Sequence, residues 1–314
     1  SDGWSMGILV SELMRLYNSY TLGLANPLTP LKLQYKDYAA WQQEELKGDK
    51  LNKHKTYWTK QFEGNLPVLN LPTDFNRPLI KTYNGALVYK KIDRRVSQAI
   101  KMFSQEQGGT LFMGLLAAVN TLLFRYSNQE DVILGSPIAG REHVDLQAQI
   151  GFYVNTLALR CQFDKKESFK ELFTQVKDVT LDAYEHQVYP FDELLEGLNV
   201  KRDMSRNALF DVMVTLQNEE GRNKKESQNF GKLNVSGLSG GKSVISKFDL
   251  TFDFIELADS LSLNIEYNTD LFTNTTIERF ADHFEELLIN ILKDPEQSLE
   301  NLTFINEKEK SLIL

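Results

Sequence analysis

The amino-acid sequence predicts a layered α/β fold, in which helices pack against a β-sheet. Segments with apolar residues at helical spacing alternate along the chain with short apolar runs that are typical of buried strands. Hydrophobic residues make up 42% of the 314 residues and charged residues 25%, as in globular chains that bury a core. At roughly 150 residues per domain, this length predicts two lobes or one large one.

The first 70 residues are predicted to be mainly helical. Apolar residues recur at helical spacing over Met6–Tyr17, and Ser5 is the expected N-cap of that helix. Two further helices are expected over Lys36–Leu46 and Asp49–Phe62. The irregular stretch 64–78, with glycine and prolines, predicts a linker and the best candidate for a domain boundary.

Strands and helices alternate after the linker. The expected strands are Ala86–Ile92, Asp131–Gly135, Phe152–Arg160, Leu209–Leu216, Lys247–Phe254 and Leu261–Tyr267. The expected helices are Val96–Glu106, one opened by Thr110, Phe169–His186, Phe191–Leu198 and one begun by a capping box at Thr275 and Glu278. A polar stretch between Asn218 and Lys242 is long enough to be either a functional loop or a disordered one.

Composition excludes several classes of function. The net charge of −8 argues against a nucleic-acid-binding protein. Cys161 is the single cysteine, so an intramolecular disulfide is impossible and a cytoplasmic location is expected. The four histidines show no metal-ligand spacing, and no apolar run reaches eighteen residues, so we expect neither a metal site nor a membrane span. The opening Ser1-Asp2-Gly3-Trp4 has no initiator methionine, and we expect the chain to be a fragment.

Four polar segments are candidate sites, and each has a simpler structural reading. Ser1–Ser5 places a carboxylate and a glycine before a helix N-terminus, where free amides can receive negative charge, or it is only an N-cap and turn. Tyr35–Gln42 sets three aromatic residues around one acid, or it is a core helix. Gly135–Arg141 is a glycine-proline loop that ends in an arginine, or a structural turn. Arg202–Asn207 lines a cleft, forms a buried polar network, or is a solvated turn.

Taken together, these segments resemble the motif series of condensation domains of nonribosomal peptide synthetases. Five matching segments follow the family's order, and the last lies well past the middle of the chain. They are Asp2-Gly3-Trp4-Ser5, similar to the tail of a His-His-x-x-x-Asp-Gly motif, Tyr35–Gln42, Ile150–Leu157, His186–Phe191 and Arg202–Phe210. Lys247–Leu250 also resembles a family segment, so the likeness covers nearly the whole chain.

The departures from the family pattern are modest except at the front. Tyr153, Asp192 and Ala208 stand where the family usually has phenylalanine, glutamate and proline, and none of them removes a group that the chemistry needs. Both motif histidines would precede Ser1 and are not in this chain. The resemblance therefore implies that the isolated chain is inactive.

The resemblance implies two chloramphenicol-acetyltransferase-like lobes arranged in a V, with the first lobe incomplete. Residues 1–70 would be the remnant of the N-terminal lobe, and residues 71–300 the C-terminal lobe. Within the latter, a floor loop is expected at about 135–150 and a latch at about 218–245. Residues 301–314 would begin a linker toward an adenylation domain.

The activity implied by the resemblance is amide-bond formation between a donor acyl or peptidyl thioester and an acceptor aminoacyl thioester. Both substrates would arrive on phosphopantetheine arms of an upstream and a downstream peptidyl carrier protein. No cofactor would bind this chain directly. An adjacent adenylation domain completes the implied set of partners.

The resemblance also implies site residues. The catalytic candidates are Asp2, Gly3 and Asn207, and the candidates for structural or substrate-tunnel roles are Trp4, Arg141, Asn155 and Arg206. Asp2 is expected to pair with Arg141 and to hold the motif loop in shape rather than to act as a base. Gly3 could offer its amide to the oxyanion, and Asn207 could help line the reaction centre.

Other functions remain open at this point. An epimerisation domain shares the fold, but it usually continues its Asp-Gly motif with Val-Ser-Trp-Arg, where this chain has Trp4-Ser5-Met6-Gly7. A heterocyclisation domain would have aspartates in place of the upstream histidines. An acyltransferase that uses coenzyme A would lack the segments Tyr35–Gln42 and Arg202–Asn207. A non-catalytic platform that docks carrier proteins would also fit the later motifs.

Overall fold

The computed structural model describes residues 1–200, 203–218, 244–306 and 309–311. Its helices are α1 Gly3–Thr21, α2 Tyr35–Glu45, α3 Gly48–Gln61, α4 Arg94–Glu106, α5 Leu111–Ser127, α6 Phe169–Glu185, α7 Phe191–Leu198 and α8 Asn274–Lys293. Its strands are β1 Asn84–Ile92, β2 Asp131–Ile138, β3 Asn155–Gln162, β4 Val212–Asn218, β5 Val244–Ile245, β6 Leu250–Glu256 and β7 Leu261–Asn268. The α/β prediction is confirmed. Arg202 and nearly all of the expected latch lie outside the described residues.

The strands form one seven-stranded sheet in the order β3-β2-β4-β6-β7-β1-β5. The pairs β2–β4 and β4–β6 are parallel, and the other neighbours are antiparallel. A parallel pair needs a long crossover, and the chain between β2 and β4 supplies one through β3, α6 and α7. Ile138 lies opposite Asn155 in the β2–β3 register, so residues 139–154 form the connection between these two strands.

The core lies between one face of the sheet and a layer of helices. β6 shows why, since Leu250, Phe252 and Phe254 are buried while the residues between them are half exposed. α5 is buried without interruption from Met113 to Phe124, and α4, α6 and α8 pack around it. An all-round apolar helix of this kind is stable only inside a helix layer.

The linker 64–78 has neither helix nor strand, as predicted, but it is pinned to the sheet. The guanidinium of Arg160 on β3 donates to the carbonyls of Gln61, Glu63 and Asn65, each at 3.1 Å. Trp58 and Phe62, before the linker, are each 3% exposed and belong to the same core as the sheet. The domain boundary near residue 70 stays a prediction, but these side chains of the first 70 residues pack with the part that follows.

Several predicted element starts are wrong by two or three residues. The N-cap of α1 is Asp2 rather than Ser5, because the Asp2 carboxylate reaches the Ser5 amide. The N-cap of α8 is Thr273, whose hydroxyl accepts from the Thr276 amide, and not Thr275. β3 and β4 begin three residues later than predicted, at Asn155 and Val212.

In the described part of the chain, no single helix has both the length and the hydropathy to cross a membrane, and α4 with α5 meets that test only as a pair bent by 107°. The same residues contain no cluster of three or more histidine, cysteine, aspartate or glutamate side chains arranged to hold a metal ion.

Candidate functional site

The carboxylate of Asp2 is buried at the N-terminus of α1, with its side chain 2% exposed. One oxygen accepts from the Ser5 amide at 2.9 Å and from the Ser5 hydroxyl at 2.7 Å. The other accepts from the Tyr153 amide at 3.1 Å. The Arg141 guanidinium lies 3.2 and 3.3 Å from the two oxygens. The pairing of Asp2 with Arg141 expected from the sequence is therefore confirmed.

Arg141 holds the β2–β3 connection in a fixed shape. Its Nη1 atom donates to the carbonyls of Leu146 and Gln149 at 2.6 and 2.7 Å, so the connection folds back over the guanidinium. The ring of Tyr153 lies 4.0 Å from the guanidinium carbon, and the ring of Trp4 lies 5.9 Å from it. Arg141 thus joins the start of α1 to the interior of the β2–β3 connection.

The pKa of Asp2 is lowered from 3.8 to about 2. Burial opposes ionisation of the carboxyl group, but the hydrogen bonds from Ser5 and Tyr153 and the charge of Arg141 outweigh it. Asp2 is consequently a carboxylate at neutral pH. A group with so low a pKa is a weak proton acceptor.

Acid should therefore weaken the fold through Asp2 over a defined range. Well above pH 3.8 the carboxylate is ionised in both the folded and the unfolded state and its stabilisation is complete; as pH falls toward 2, the unfolded chain takes up the proton first. We expect the free energy of unfolding to drop by about 2 kcal/mol across this range. Urea unfolding at a series of pH values measures the drop, and Asp2→Asn should remove most of it. An equal drop in that variant would contradict the assignment.

Two glycines allow the β2–β3 connection to lie close to its neighbours. Gly140 has a φ of 62°, and a Cβ atom there would lie 2.1 Å from the Tyr153 carbonyl oxygen. A Cβ atom at Gly151 would lie 2.4 Å from the ring of Tyr35. Gly140, at the end of the predicted Gly135–Arg141 turn, is therefore required both by backbone conformation and by space.

A cavity of about 630 Å³ lies between α2, the β2–β3 connection and the turn that follows α6. Its wall is mainly apolar, with Leu33, Tyr38, Trp41, Ile138, Leu146 and Val188. Asn155, Gln187 and Glu142 add polar groups. A mainly apolar cavity with a few fixed polar groups is typical of a site for a small organic ligand or for part of a larger one.

The α2 segment Tyr35–Gln42 lines this cavity instead of forming a core helix, since none of its residues is fully buried. The ring of Tyr153 contacts Tyr35 edge-on at 5.2 Å and Tyr38 at 4.6 Å between centroids. Burial raises the pKa of Tyr38, so its hydroxyl stays neutral at physiological pH. Because Tyr153 also donates its amide to Asp2, the cavity wall and the Asp2 network share one residue.

Asn155 fixes the turn between α6 and α7. Its side-chain amide donates to the carbonyls of Gln187 and Tyr189 at 2.8 and 2.7 Å, and its side-chain oxygen accepts from the Phe191 amide at 3.1 Å. Gln187 and Val188 are part of the cavity wall, so Asn155 both lines the cavity and holds that wall in place. The tunnel role that the resemblance implies for Asn155 stays a prediction.

Gly3 and Trp4 occupy the first turn of α1. The Gly3 amide lies where no preceding helical carbonyl can accept from it. The Trp4 indole donates to the Gln147 carbonyl at 2.9 Å while about half of the side chain stays exposed. These two residues therefore lie beside Asp2 and the β2–β3 connection, and their roles stay predictions.

The structure does not bring Asn207 or Arg206 into contact with that network. Arg206 pairs with Asp211 at 2.7 Å and donates to the Leu69 carbonyl. The Asn207 amide donates to Asp211 at 3.0 Å, and its side-chain oxygen accepts from Lys81. The described contacts of both residues thus belong to a separate polar cluster beside the linker. Both side chains are half-buried and line a second, smaller cavity there, as in the cleft alternative.

Sequence reasoning missed one pair of histidines. His54 on α3 and His186 at the end of α6 are 132 residues apart, yet their Nδ1 atoms lie 2.8 Å from each other. The ring of Tyr57 stacks on His186 with centroids 4.2 Å apart. Only the topology that brings α3 against the end of α6 makes this pair visible.

The family model described as "Condensation domain" matches residues 1–314. Curated relatives include one of the linear gramicidin synthase proteins of Brevibacillus parabrevis, 41% identical over 316 residues. One of the plipastatin synthase proteins of Bacillus subtilis (strain 168) is 42% identical over 314 residues. Both alignments cover the whole of this chain but only 6% and 12% of the relatives' own lengths.

Solved structures share the fold at low identity. The X-domain in its complex with OxyB from teicoplanin biosynthesis has a TM-score of 0.84 at 23% identity, covering 98% of this chain and 68% of that one. A four-domain nonribosomal peptide synthetase bound to AMP and glycine has a TM-score of 0.80 at 21% identity, covering 98% and 24%. The first condensation domain of the CDA synthetase has a TM-score of 0.68 at 16% identity, covering 97% and 64%.

Proposed function

Because the chain belongs to the condensation-domain family, we propose that the native gene product that carries these residues forms amide bonds between a donor acyl or peptidyl thioester and an acceptor aminoacyl thioester in nonribosomal peptide synthesis. The structural observation that supports this proposal is the buried Asp2–Arg141 pair. It fixes the Asp2-Gly3 segment against the same β2–β3 connection that forms one wall of the 630 Å³ cavity. The motif end and a ligand-sized space are therefore held together by one rigid segment.

The reaction is the aminolysis of a thioester. The acceptor amine attacks the donor carbonyl carbon, the tetrahedral oxyanion collapses, the carbon–sulfur bond breaks, and the amine proton leaves as the thiol forms. Holding two reactants in line can supply about 7–11 kcal/mol in favourable cases. A rigid wall and a shaped cavity provide this positioning.

Asp2 takes part by positioning rather than by proton transfer. Its oxygens are occupied by Ser5, Tyr153 and Arg141, and its pKa of about 2 makes it a poor base. In this proposal the amide of Gly3, in the first turn of α1, would donate to the oxyanion, a contact worth about 3 kcal/mol in other enzymes. Asn207, held by Asp211 and Lys81 beside the linker, is not assigned a step in this reaction.

The proposed partners are two peptidyl carrier proteins that present the substrates as phosphopantetheine thioesters, and an adjacent adenylation domain. The proposed location is the cytoplasm. The relatives support this set of partners, since they belong to peptide synthases, although the chain spans only a small part of each.

Product formation tests the proposal. The native gene product that carries these residues is incubated with one carrier protein loaded with an acyl or peptidyl donor and one loaded with an acceptor amino acid. We expect a new amide on the acceptor carrier. Val188→Trp narrows the cavity and should lower kcat/KM about tenfold or more, whereas Val144→Trp places the same indole at a residue that is 69% exposed and outside the cavity wall. Equal activity of the two variants would show that this cavity is not used.

The docking-platform alternative predicts a different result. The shared fold does not separate the two functions, because both an X-domain and a condensation domain superpose on this chain. A platform would retain carrier proteins in a binding assay and form no amide. An epimerisation domain would invert the configuration of a single loaded residue without any acceptor.

A further inference from the structure

The two imidazoles of His54 and His186 face each other through their Nδ1 atoms, at 2.8 Å. Their rings meet edge to face, with centroids 5.0 Å apart. A neutral imidazole carries one N–H donor and one lone-pair acceptor. At this distance one Nδ1 must donate and the other must accept.

This hydrogen bond withstands one added proton but not two. A singly protonated pair keeps it, because an imidazolium N–H can donate to the lone pair of the neutral ring. When both rings are protonated, two N–H groups and two positive charges face each other and no acceptor is left. The contact between His54 and His186 then becomes repulsive.

The pair is connected to the cavity wall through the backbone. His186 directly precedes Gln187 and Val188, which line the cavity. The Trp58 indole, on the same helix as His54, donates to the His186 carbonyl at 3.0 Å, and the Tyr189 amide donates to that carbonyl at 3.2 Å. On the far side of the turn, Asn155 holds Gln187 and Tyr189.

We infer that His54 and His186 are positioning residues for this cavity: their shared hydrogen bond holds the Gln187–Val188 wall against α3, and a second proton on the pair releases it. The inference deepens the proposed function, since the wall belongs to the cavity that function would use. His186 is buried, and burial lowers the pKa of both imidazoles, as do the neighbouring positive groups. The hydrogen bond between His54 and His186 is thus intact at neutral pH.

The charged groups around the pair have opposite effects on its protonation. Lys53 on α3 disfavours protonation of both rings. Glu45 on α2 favours protonation of His54, and Asp182 and Glu185 on α6 favour protonation of His186. Tyr57, stacked on His186, is kept neutral because burial raises its pKa. In the folded state the pKa of both imidazoles lies below the ordinary value of 6.5. Protonation therefore favours the released pair, and the wall should loosen as pH falls below that value.

Amide hydrogen exchange at the turn tests this inference without any catalysis. The amides of Gln187, Tyr189 and Phe191 each have an acceptor in the structure and should be protected. With labelling times corrected for the chemical rate, we expect protection of this segment to fall about tenfold between pH 7.5 and 4.5, as for the loss of one hydrogen bond. Protection of the amides of α5, which is buried without interruption from Met113 to Phe124, should not change.

Three variants distinguish loss of the hydrogen bond between His54 and His186 from a general destabilisation of the fold by acid. His54→Asn offers His186 a side-chain oxygen or an amide, so it should keep the protection at both pH values. His54→Leu removes the hydrogen-bond partner of His186, so the turn should be weakly protected at both pH values. His143→Asn removes an exposed histidine of the same cavity and should retain the wild-type pH response. A wild-type turn indifferent to pH, or a His54→Asn turn that loosens like wild type, would overturn the inference whatever the outcome of the amide-forming assay.

Discussion

Replacing Asp2 by alanine is expected to lower the free energy of unfolding of the chain by about 3–5 kcal/mol, as for other buried ion pairs that lose one partner. The Arg141 guanidinium, 1% exposed, would keep its burial and lose its only carboxylate contact among the described residues. α1 would lose its N-cap at the same time, because the same carboxylate accepts from the Ser5 amide. Urea unfolding at pH 7 measures the difference.

The double variant Asp2→Ala with Arg141→Met is the control for this prediction. It removes both charges, so the penalty of an unpaired buried guanidinium disappears and the loss should be smaller than in Asp2→Ala alone. Additive losses would show that the two side chains do not stabilise each other. Unchanged stability in Asp2→Ala would refute the structural role of the pair.

Gly140→Ala is expected to be the second most damaging change, at about 2–5 kcal/mol. A left-handed backbone accounts for about 1–2 kcal/mol in a residue with a side chain. The new Cβ atom, 2.1 Å from the Tyr153 carbonyl oxygen, adds about 1–3 kcal/mol of overpacking, or it displaces the β2–β3 connection. Tyr153 holds Asp2 from the other side, so the displacement would reach the motif segment.

Gly64→Ala isolates the backbone contribution. Gly64 has a φ of 81°, but a Cβ atom there would meet nothing within 4 Å. We therefore expect it to lose only about 1–2 kcal/mol. Thermal unfolding of the two variants side by side gives the contribution of the close approach at Gly140. Equal losses would mean that the connection moves aside at little cost.

Much of the fold and part of the site could be predicted from the sequence. The spacing of apolar residues along the chain predicted most helices and strands. The family match confirmed the resemblance carried by the five motifs. The pairing of Asp2 with Arg141 was expected from the family resemblance, and the structure explains it, because a buried carboxylate needs a charged or hydrogen-bonding partner. The errors at the helix starts have a local cause: Asp2 and Ser5 are both good N-cap residues, and only the three-residue reach of the carboxylate decides between them.

The features that the sequence did not predict depend on contacts between distant parts of the chain. The cavity is assembled from α2, the β2–β3 connection and the turn after α6, and no one of these segments indicates it alone. His54 and His186 have no common motif, and the contact depends on how α3 lies against α6. Asn207 has the residue type of a reaction-centre donor, but competing partners, Asp211 and Lys81, hold it beside the linker.

The pair formed by Asp2 and Arg141 joins residues that are 139 positions apart. Closing so long a loop is entropically unfavourable until other contacts have brought its ends together. Arg141 lies in the connection between β2 and β3, so we expect α1 to dock onto it after these two strands have paired. An interaction absent from the folding transition state acts on the unfolding rate. We therefore expect the N-terminal helix to be a source of kinetic stability: its ion pair should do little to speed folding and should slow unfolding.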